Sequence, residues 1–455
     1  MANRAEKRMV SPTLSISYGQ DITLDNQGLR KGNYTTPERR REILFNYDHG
    51  REGAVIEAWE DPNFDVYTHT DRHGFMHKRV PPTTSAKLQQ IERERAQKWN
   101  KMIGTEWETK YRNSDKLRRR IYKGIPNSLR GPVWSKILAL DSIKSKDIYE
   151  RAKFLAREYS PDLMQIDVDV MRTLREHVHF RERYSSKQQA LFHVLSAYSM
   201  FNKRIGYCQG MASVTGLLLM YLREEEEAFW ALISLTNTKY EMHEMYTENM
   251  SKFHIFTGHH CLLRERLIPK IDAHFKKWEV PETMYLAKML VQMFFGVLPY
   301  ELVLRIWDAV FLDGPGVIMA ASILILKMNK KTLLSLESNE LLEYITVMGE
   351  TTKLDHDKFM QDLMLLVDEL IKENILLPTE PKPPNTYQLF QDFKALHPDS
   401  LQIGIVQGPE KPMKPPKFAK KKNSYSKNDT VPDLIYNLPS MTYGSLERDG
   451  TLVVS

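Results

Sequence analysis

Four short segments of the chain place a polar side chain of catalytic or ligand-binding type beside aromatic or glycine neighbours. In the first, Gly and Pro residues indicate a turn that precedes a helix. Arg130 and Trp134 follow this turn four residues apart and therefore share one face of the helix. In the second, Asp169 and Arg172 lie three residues apart, so the carboxylate can steady the segment while the arginine projects outward. A projecting arginine offers a planar, permanently charged fork of hydrogen-bond donors, which suits phosphate or carboxylate oxygens.

The third and fourth segments carry an amide and a cluster of large and charged side chains. Tyr207 and Gln209 stand in the sequence Tyr-Cys-Gln-Gly, where the glutamine amide can both donate and accept a hydrogen bond. Gly210 follows directly, and its lack of a side chain lets the chain approach a partner closely. The fourth segment, Arg-Ile-Trp-Asp, contributes three further candidate residues: Arg305, Trp307 and Asp308.

Each segment taken alone also has a purely structural explanation. Trp134 and Trp307 are typical of core aromatic residues. Asp169 and Arg172 would form an ordinary salt bridge within a helix, which contributes only ~0.3–0.5 kcal/mol. Gln209 could simply end a turn. The functional interpretation therefore depends on the order and spacing of all four segments together.

Motifs for a self-contained catalytic centre or metal site are missing from the sequence. It holds no G-x-x-x-x-G-K-[ST] loop to cradle phosphates. A zinc-protease-like motif begins at His243, but Thr247 stands where the second histidine is required. The His-His-Cys run at 259–261 has adjacent residues, which do not converge easily on one ion. We therefore expect no metal site and no cofactor bound by the chain itself.

Composition favours a cytoplasmic protein. The 455 residues carry a formal net charge of +6, which is too small for this length to indicate nucleic-acid binding. Two cysteines cannot build a disulfide framework, and the N-terminal residues lack the apolar core of a secretory signal. The longest apolar run, 314–326, is shorter than the ~20 residues that span a bilayer. We expect any membrane contact to be peripheral.

Hydrophobic periodicity and composition divide the chain into four parts, which must position these segments. Helical patterns follow one another over 87–377, with no lasting strand pattern, and predict an all-α body. Residues 1–46 are polar and are expected to form a disordered leader. Residues 47–86, rich in aromatics, glycines and turn signals, predict an irregular extension that packs on the body. The Pro-, Lys- and Ser-rich composition of 378–455 predicts a disordered tail.

Three of the segments resemble, intact and in order, the characteristic motifs of the TBC domain: Arg130-x-x-x-Trp134, Ile166-x-x-Asp169-x-x-Arg172 and Tyr207-x-Gln209-Gly210. The Arg-Ile-Trp-Asp segment matches a further hallmark of that family, and the resemblance extends closely over residues 120–320. Residues 47–77 also resemble the leader of the RN-tre-like branch. The resemblance implies a multi-helix TBC domain that binds Rab GTPases and accelerates their GTP hydrolysis, and that so regulates vesicle trafficking and endocytosis.

Carried onto this chain, the resemblance implies that Arg172 is an arginine finger and Gln209 a glutamine finger, both supplied to a partner Rab-type GTPase. Asp169 would hold the arginine segment. The remaining candidates would shape or support the site: Arg130, Trp134, Tyr207, Gly210, Arg305, Trp307 and Asp308. GTP and Mg²⁺ would be carried by the GTPase, which accounts for the missing phosphate-binding loop.

Other hypotheses stay open at this point. The chain could be a catalytically silent Rab-binding scaffold, although a scaffold has no need to keep both Arg172 and Gln209. Residues 411–422 contain six lysines and no acid. They could contact anionic endosomal or Golgi membranes weakly, dock their prolines on an SH3-like partner, or only keep the tail soluble.

Overall fold

The computed structural model describes nine stretches of the chain: 23–24, 30–31, 36–57, 60, 69–80, 86–236, 242–247, 250–352 and 354–378. All of them belong to one compact unit, residues 1–407, whereas the second unit, 408–455, lies outside the described residues. The predicted tail beyond 378 and most of the predicted leader also lie outside them.

The described residues are mostly helical and contain very little strand, which confirms the predicted all-α class. The α-helices are α1 Pro37–Gly53, α2 Ala86–Asn100, α3 Asp115–Lys123, α4 Arg130–Ile137, α5 Leu140–Ile143, α6 Ile148–Tyr159, α7 Leu163–Arg172, α8 Ser186–Phe201, α9 Met211–Tyr221, α10 Glu225–Leu235, α11 Ser251–Leu267, α12 Pro269–Lys277, α13 Thr283–Val291, α14 Tyr300–Asp313, α15 Gly316–Met328, α16 Lys330–Leu333, α17 Ser338–Thr351 and α18 His356–Lys372. Short helical turns of other types lie at Trp107–Tyr111, Asn127–Leu129 and His243–Met245. Two small antiparallel pairs join β1 Thr23–Leu24 to β2 Arg30–Lys31 and β3 His69–Thr70 to β4 Met76–His77.

Two buried helices organise the core. α8 packs against α6, α7, α9 and α10, and Ser185 caps its N-terminus, because the serine hydroxyl accepts from the backbone N–H of Gln188. α15 is apolar on every side and accordingly packs against α11, α13, α14 and α18. α14 also contacts α3 and α4. None of the helices in the described parts of the chain is long and apolar enough to cross a membrane.

The N-terminal region differs from its prediction. α1 begins within the predicted leader and crosses the predicted boundary at residue 46. Thr36 caps the helix by accepting from the N–H of Arg39, and Pro37 occupies its first turn, where no amide donor is needed. Ile43 and Tyr47 are both 1% exposed, so this helix packs into the core. Sequence periodicity does not predict it, because the positions four residues before Ile43 and four residues after Tyr47 are arginines, which limits the apolar stripe to two residues.

A hairpin follows at residues 69–80. Asp71 closes its turn, because its Oδ1 accepts from the N–H groups of His73 at 2.8 Å and Phe75 at 3.0 Å. Phe75 pairs with His177 in an isolated antiparallel bridge, so the hairpin lies against the chain that follows α7.

Candidate functional site

α7 presents Arg172 at its C-terminal end. Leu163, Ile166 and Val170 are fully buried and anchor the apolar face of the helix. The side chain of Arg172 is 45% exposed, and its Nη2 lies 2.6 Å from Oδ1 of Asp169, whose side chain is 3% exposed. A cation in the last turn of a helix is also favoured by the helix dipole. The buried carboxylate therefore steadies an arginine that faces outward.

Tyr207 ties the loop that carries Gln209 to both ends of α7. Its N–H donates to Oδ2 of Asp162, the residue before α7, at 3.0 Å, and its hydroxyl donates to Oδ2 of Asp169 at 2.6 Å. Burial and the neighbouring Asp169 carboxylate hold the pKa of Tyr207 well above its ordinary value, so the phenol remains a neutral donor. One buried carboxylate thus contacts the side chains of both Arg172 and Tyr207.

Gln209 and Gly210 form the turn into α9. The side chain of Gln209 is partly exposed, and its amide makes no hydrogen bond to any of the described residues. Gly210 has a φ of 104°, and a Cβ added to it would lie 3.0 Å from Cγ1 of Val291 at the end of α13. Any other residue would therefore be strained here and would also crowd α13. The glutamine loop lies directly on this part of α13.

The chain turns sharply after Arg172. Thr173 Oγ1 donates to the carbonyl of Asp169 at 2.6 Å, and Leu174 has a φ of 54°. A left-handed conformation costs a non-glycine residue about 1–3 kcal/mol, so the surrounding structure must enforce it. Gly216 of α9 makes room for the turn, because a Cβ on it would lie 2.7 Å from Cδ1 of Leu174. α9 therefore supports the arginine segment and also follows directly from the glutamine loop.

Three of the other predicted site residues form a separate buried cluster between α4 and α14. Asp308 is fully buried; its Oδ1 lies 3.1 Å from Nε of Arg130 and accepts from Trp134 Nε1 at 2.7 Å. Arg130 Nη2 also donates to the carbonyl of Ile125 at 3.0 Å. Burial raises the pKa of Asp308, although Arg130 and Trp134 favour its ionised form. These contacts join two helices of the core.

The remaining two predicted residues also lie on α14. Arg305 Nη1 is 2.7 Å from Oδ1 of Asp357, and its Nη2 donates to the carbonyl of Tyr122 at 3.0 Å, so it links α14 to α3 and α18. Trp307 Nε1 donates to the carbonyl of Met293 at 2.9 Å, in the turn that follows α13. Trp307 therefore supports the region of α13 on which the glutamine loop lies.

Eight of the ten predicted residues thus separate into two groups, one at each end of α9. Gly210 precedes this helix, and Tyr221 ends it beside Trp134, with ring centroids 5.1 Å apart. A helix of 11 residues is about 16 Å long. The structure brings Asp169, Tyr207 and Gly210 to the two finger candidates, and it places Arg130, Trp134 and Asp308 about that distance away.

Four residues of the site region are missed by sequence reasoning: Asp162, Thr173, Leu174 and Gly216. Asp162 has a weak signal, since an aspartate before an apolar run favours the start of a helix. Its observed bond to Tyr207 depends on the tertiary fold and has no sequence signal. Neither the φ of Leu174 nor the packing of Gly216 against it is visible in the sequence, because both depend on how α7 meets α9.

No three His, Cys, Asp or Glu side chains of the described residues are grouped as a metal ion would require. In the His-His-Cys run, His259 Nε2 hydrogen-bonds the carbonyl of Ile375 at 2.9 Å. His260 is fully buried, and within the described structure neither of its ring nitrogens has a hydrogen-bond partner.

Comparisons with known proteins agree with the motifs and the fold. The profile of the family described as Rab-GTPase-TBC domain matches residues 127–334. The human Ecotropic viral integration site 5 protein homolog is 30% identical over 264 residues, which are 58% of this chain and 32% of that protein. The chain thus spans about a third of the length of this curated relative.

The solved structure of one TBC domain has the same fold as this chain. The Chlamydomonas flagellar RabGAP TBC domain is 24% identical, with a TM-score of 0.51, over 65% of this chain and 99% of that structure. The Ypt/Rab-GAP domain of Gyp1p is 16% identical, with a TM-score of 0.49, over 62% of this chain and 99% of that structure.

Proposed function

Because residues 127–334 form a Rab-GTPase-TBC domain, the chain belongs to the TBC family, and we propose that it is a GTPase-activating protein for a Rab-type small GTPase. The family predicted from the motifs is confirmed, whereas the RN-tre-like branch stays a prediction. In this proposal Arg172 and Gln209 are supplied in trans to the GTPase.

The observation that carries the proposal is the double contact of Asp169. Its carboxylate binds the side chain of Arg172 and the hydroxyl of Tyr207, two residues before Gln209. An exposed arginine and an amide that has no hydrogen-bond partner in the described parts of the chain are thereby fixed on neighbouring, cross-linked segments. A partner that docks on this part of the domain meets both groups together.

These two side chains suit the chemistry of GTP hydrolysis. Charge spreads over the γ-phosphoryl oxygens and the leaving group, so catalysis consists mainly of orienting water and neutralising that charge. Arg172 supplies the permanent charge through a bidentate fork of donors. Gln209 accepts from the attacking water and donates to the phosphate or to the GTPase backbone. An arginine supplied in trans raises GTPase rates by roughly 10³–10⁵.

The chain requires no nucleotide site of its own in this proposal. GTP and Mg²⁺ are bound by the Rab protein, and the residues of the chain only complete the reaction centre. We further propose that the chain works in the cytoplasm, at the endosomal or Golgi membranes on which vesicle traffic depends.

A catalytically silent Rab-binding scaffold is the second candidate function. Both hypotheses use the same fold and the same docking region. A scaffold gains nothing from an arginine that is 45% exposed or from a Gln209 amide that no described residue engages in a hydrogen bond. These two features favour the catalytic proposal.

The proposal is tested on a panel of purified Rab proteins loaded with GTP. Phosphate release in a single turnover is measured with and without the full chain and with two matched variants. Arg172→Lys should lose about 10²-fold or more of the stimulation, because lysine keeps the charge but lacks the fork. Arg266→Lys is the control. This arginine lies on α11, far along the chain from α7; it is 56% exposed and pairs with Glu373 at 2.8 Å.

Two results would count against the proposal. Stimulation retained by Arg172→Lys would mean that Arg172 is a structural residue. Binding of a Rab without any stimulation by the unmodified chain would favour the scaffold.

A further inference from the structure

An N-terminal segment outside residues 127–334 packs against the helix that carries Arg172, on the side opposite to the arginine. This segment, called here the N-terminal clamp, comprises residues 36–57, 60 and 69–80 as the structure describes them. Oδ2 of Asp167 on α7 lies 3.3 Å from Nη2 of Arg39 on α1, and its Oδ1 pairs with Nη2 of Arg183. Asp167 precedes Arg172 by five residues, about 140° around the helix. The clamp therefore contacts the side of α7 that faces away from the arginine.

Arg183 extends this contact to two more residues of the clamp. Its side chain is only 1% exposed; Nε lies 3.1 Å from Oε1 of Glu60, and Nη1 donates to the hydroxyl of Tyr47 at 3.0 Å. A buried guanidinium is tolerated only while its partners stay in place. Asp167 of α7 and Glu60 of the clamp are therefore fixed relative to each other through Arg183.

The hairpin of the clamp holds the chain on the other side of the arginine. The N–H of Met76 donates to the carbonyl of Glu176 at 2.8 Å, and the N–H of Val178 donates to the carbonyl of Gly74 at 2.9 Å. Residues 176–178 are thus paired with the hairpin like a short additional strand. This pairing begins four residues after Arg172.

Gly74 makes this close approach possible. Its φ is 92°, and a Cβ added to it would lie 2.5 Å from Nε2 of His177. The same Nε2 hydrogen-bonds the carbonyl of His73 at 2.9 Å, and His177 is 3% exposed. A side chain at residue 74 would displace His177 and, with it, the paired segment.

We propose that the N-terminal clamp is a positioning element for Arg172. It fixes α7 on one side of the arginine and residues 176–178 on the other, and so presents the guanidinium in one orientation. Its residues act through Arg172, and none of them is assigned a contact with the nucleotide. The kinetic part of this proposal rests on the function proposed above, whereas the structural part does not. A small displacement of a catalytic group can cost about 10²-fold in rate, so holding the arginine has a measurable consequence.

The first test measures amide hydrogen exchange and needs no GTPase. In Gly74→Ala, we expect exchange at 174–178 to accelerate about 10-fold or more while α8 keeps its protection. Gly104→Ala is the matched control, because nothing lies within 4 Å of the added methyl group, and it should leave both regions unchanged. Unaltered exchange at 174–178 would overturn the proposal. Equal loss of protection in α8 would also overturn it, since the hairpin would then serve the whole fold.

The second test measures kcat and KM with a Rab that responds to the chain. Asp167→Asn removes the charge that links α7 to the clamp, and it should lower kcat about 10-fold with little change in KM. Asp272→Asn is the matched control: it breaks a buried pair at 2.8 Å between α12 and Arg264 of α11, outside the clamp, and leaves α7 untouched. It should change neither constant.

Repeating Asp167→Asn in the Arg172→Lys background decides whether the effect passes through the arginine. We expect little further loss, because the group being positioned is already gone. The same fold-loss in both backgrounds, or a raised KM with unchanged kcat, would contradict the proposal. If no Rab responds to the unmodified chain, the proposed function fails, while the exchange experiment still decides whether the clamp holds this region.

Discussion

Asp308→Asn should destabilise the domain strongly without changing the volume of its core. Asp308 is fully buried, and the Arg130 side chain it faces is only 6% exposed, so the substitution leaves a guanidinium in the core without its carboxylate. Removing one partner of a buried ion pair costs about 3–5 kcal/mol, because the remaining charge is uncompensated. The asparagine oxygen can still accept from Trp134 Nε1, which favours the lower end of that range.

Urea titration followed by circular dichroism measures this change as a lower free energy of unfolding at constant m-value. Asp48→Asn is the matched control, since it breaks an Arg–Asp pair with side chains 40% and 39% exposed. An exposed pair contributes about 0–1 kcal/mol. We therefore expect the two variants to differ by roughly 2 kcal/mol or more.

A free energy of unfolding for Asp308→Asn within about 1 kcal/mol of the Asp48→Asn value would refute this reasoning. It would mean that Arg130 finds another partner or water, and that the Arg130, Trp134 and Asp308 cluster does not hold α4 against α14.

Three further changes test other parts of the structure. Gly210→Ala should lower the free energy of unfolding by about 1–3 kcal/mol, because the φ of 104° at this position strains an L-residue and the methyl group would crowd Val291. Urea denaturation measures the change, and Gly258→Ala is the control because open space surrounds its added methyl group. Burial and the charge of Arg264 lower the pKa of His260 from 6.5 to about 3, so its neutral form stabilises the fold above pH 6.5 and that contribution is lost as the pH falls towards 3. The urea midpoint of His260→Leu should therefore fall less between pH 6.5 and 3 than that of the unmodified chain, and an equal fall in both would assign the acid sensitivity to other groups. Removal of residues 379–455 should leave activity on soluble Rab unchanged and lower it on Rab anchored to acidic liposomes, more at low salt; equal sedimentation of both forms with the liposomes would contradict a membrane role.

The local parts of the site are predictable from the sequence because their partners are close in the chain. Asp169 and Arg172 lie one helical turn apart, so helical geometry alone predicts that they pair, and the structure places them at 2.6 Å. The all-α class follows in the same way from repeated helical spacing. The glycine after Gln209 also indicates close approach, although the surface it approaches within the domain is Val291.

The division of the predicted residues into two groups depends on long-range contacts and is not visible in the sequence. Arg130 and Asp308 are 178 positions apart, and Tyr207 and Asp169 are 38 apart. Their pairing is decided by how whole helices pack. The motif pattern treats all of these residues as one site, whereas in the fold some of them hold Arg172 and the loop of Gln209 and others hold the core.

The N-terminal region is mispredicted for a different reason. Besides Ile43 and Tyr47, its contacts are made by charged residues such as Arg39 and Asp48, which a hydrophobicity pattern assigns to solvent. The residues with which they form ion pairs, Asp167 on α7 and Arg157 on α6, come within reach only when those helices have packed. A polar segment can therefore belong to the body without an apolar stripe.

Single-turnover GTP hydrolysis decides whether Arg172 and Gln209 act as one unit on a Rab transition state. The rate is measured for the responding Rab with the unmodified chain, Arg172→Lys, Gln209→Ala and the double variant, at concentrations that saturate the complex. We predict that each single variant loses about 10²-fold or more and that the double variant is little slower than either, because removing one finger leaves little for the other to contribute. A single variant with the unmodified rate, or a double variant whose loss equals the product of the two single losses, would contradict this mechanism.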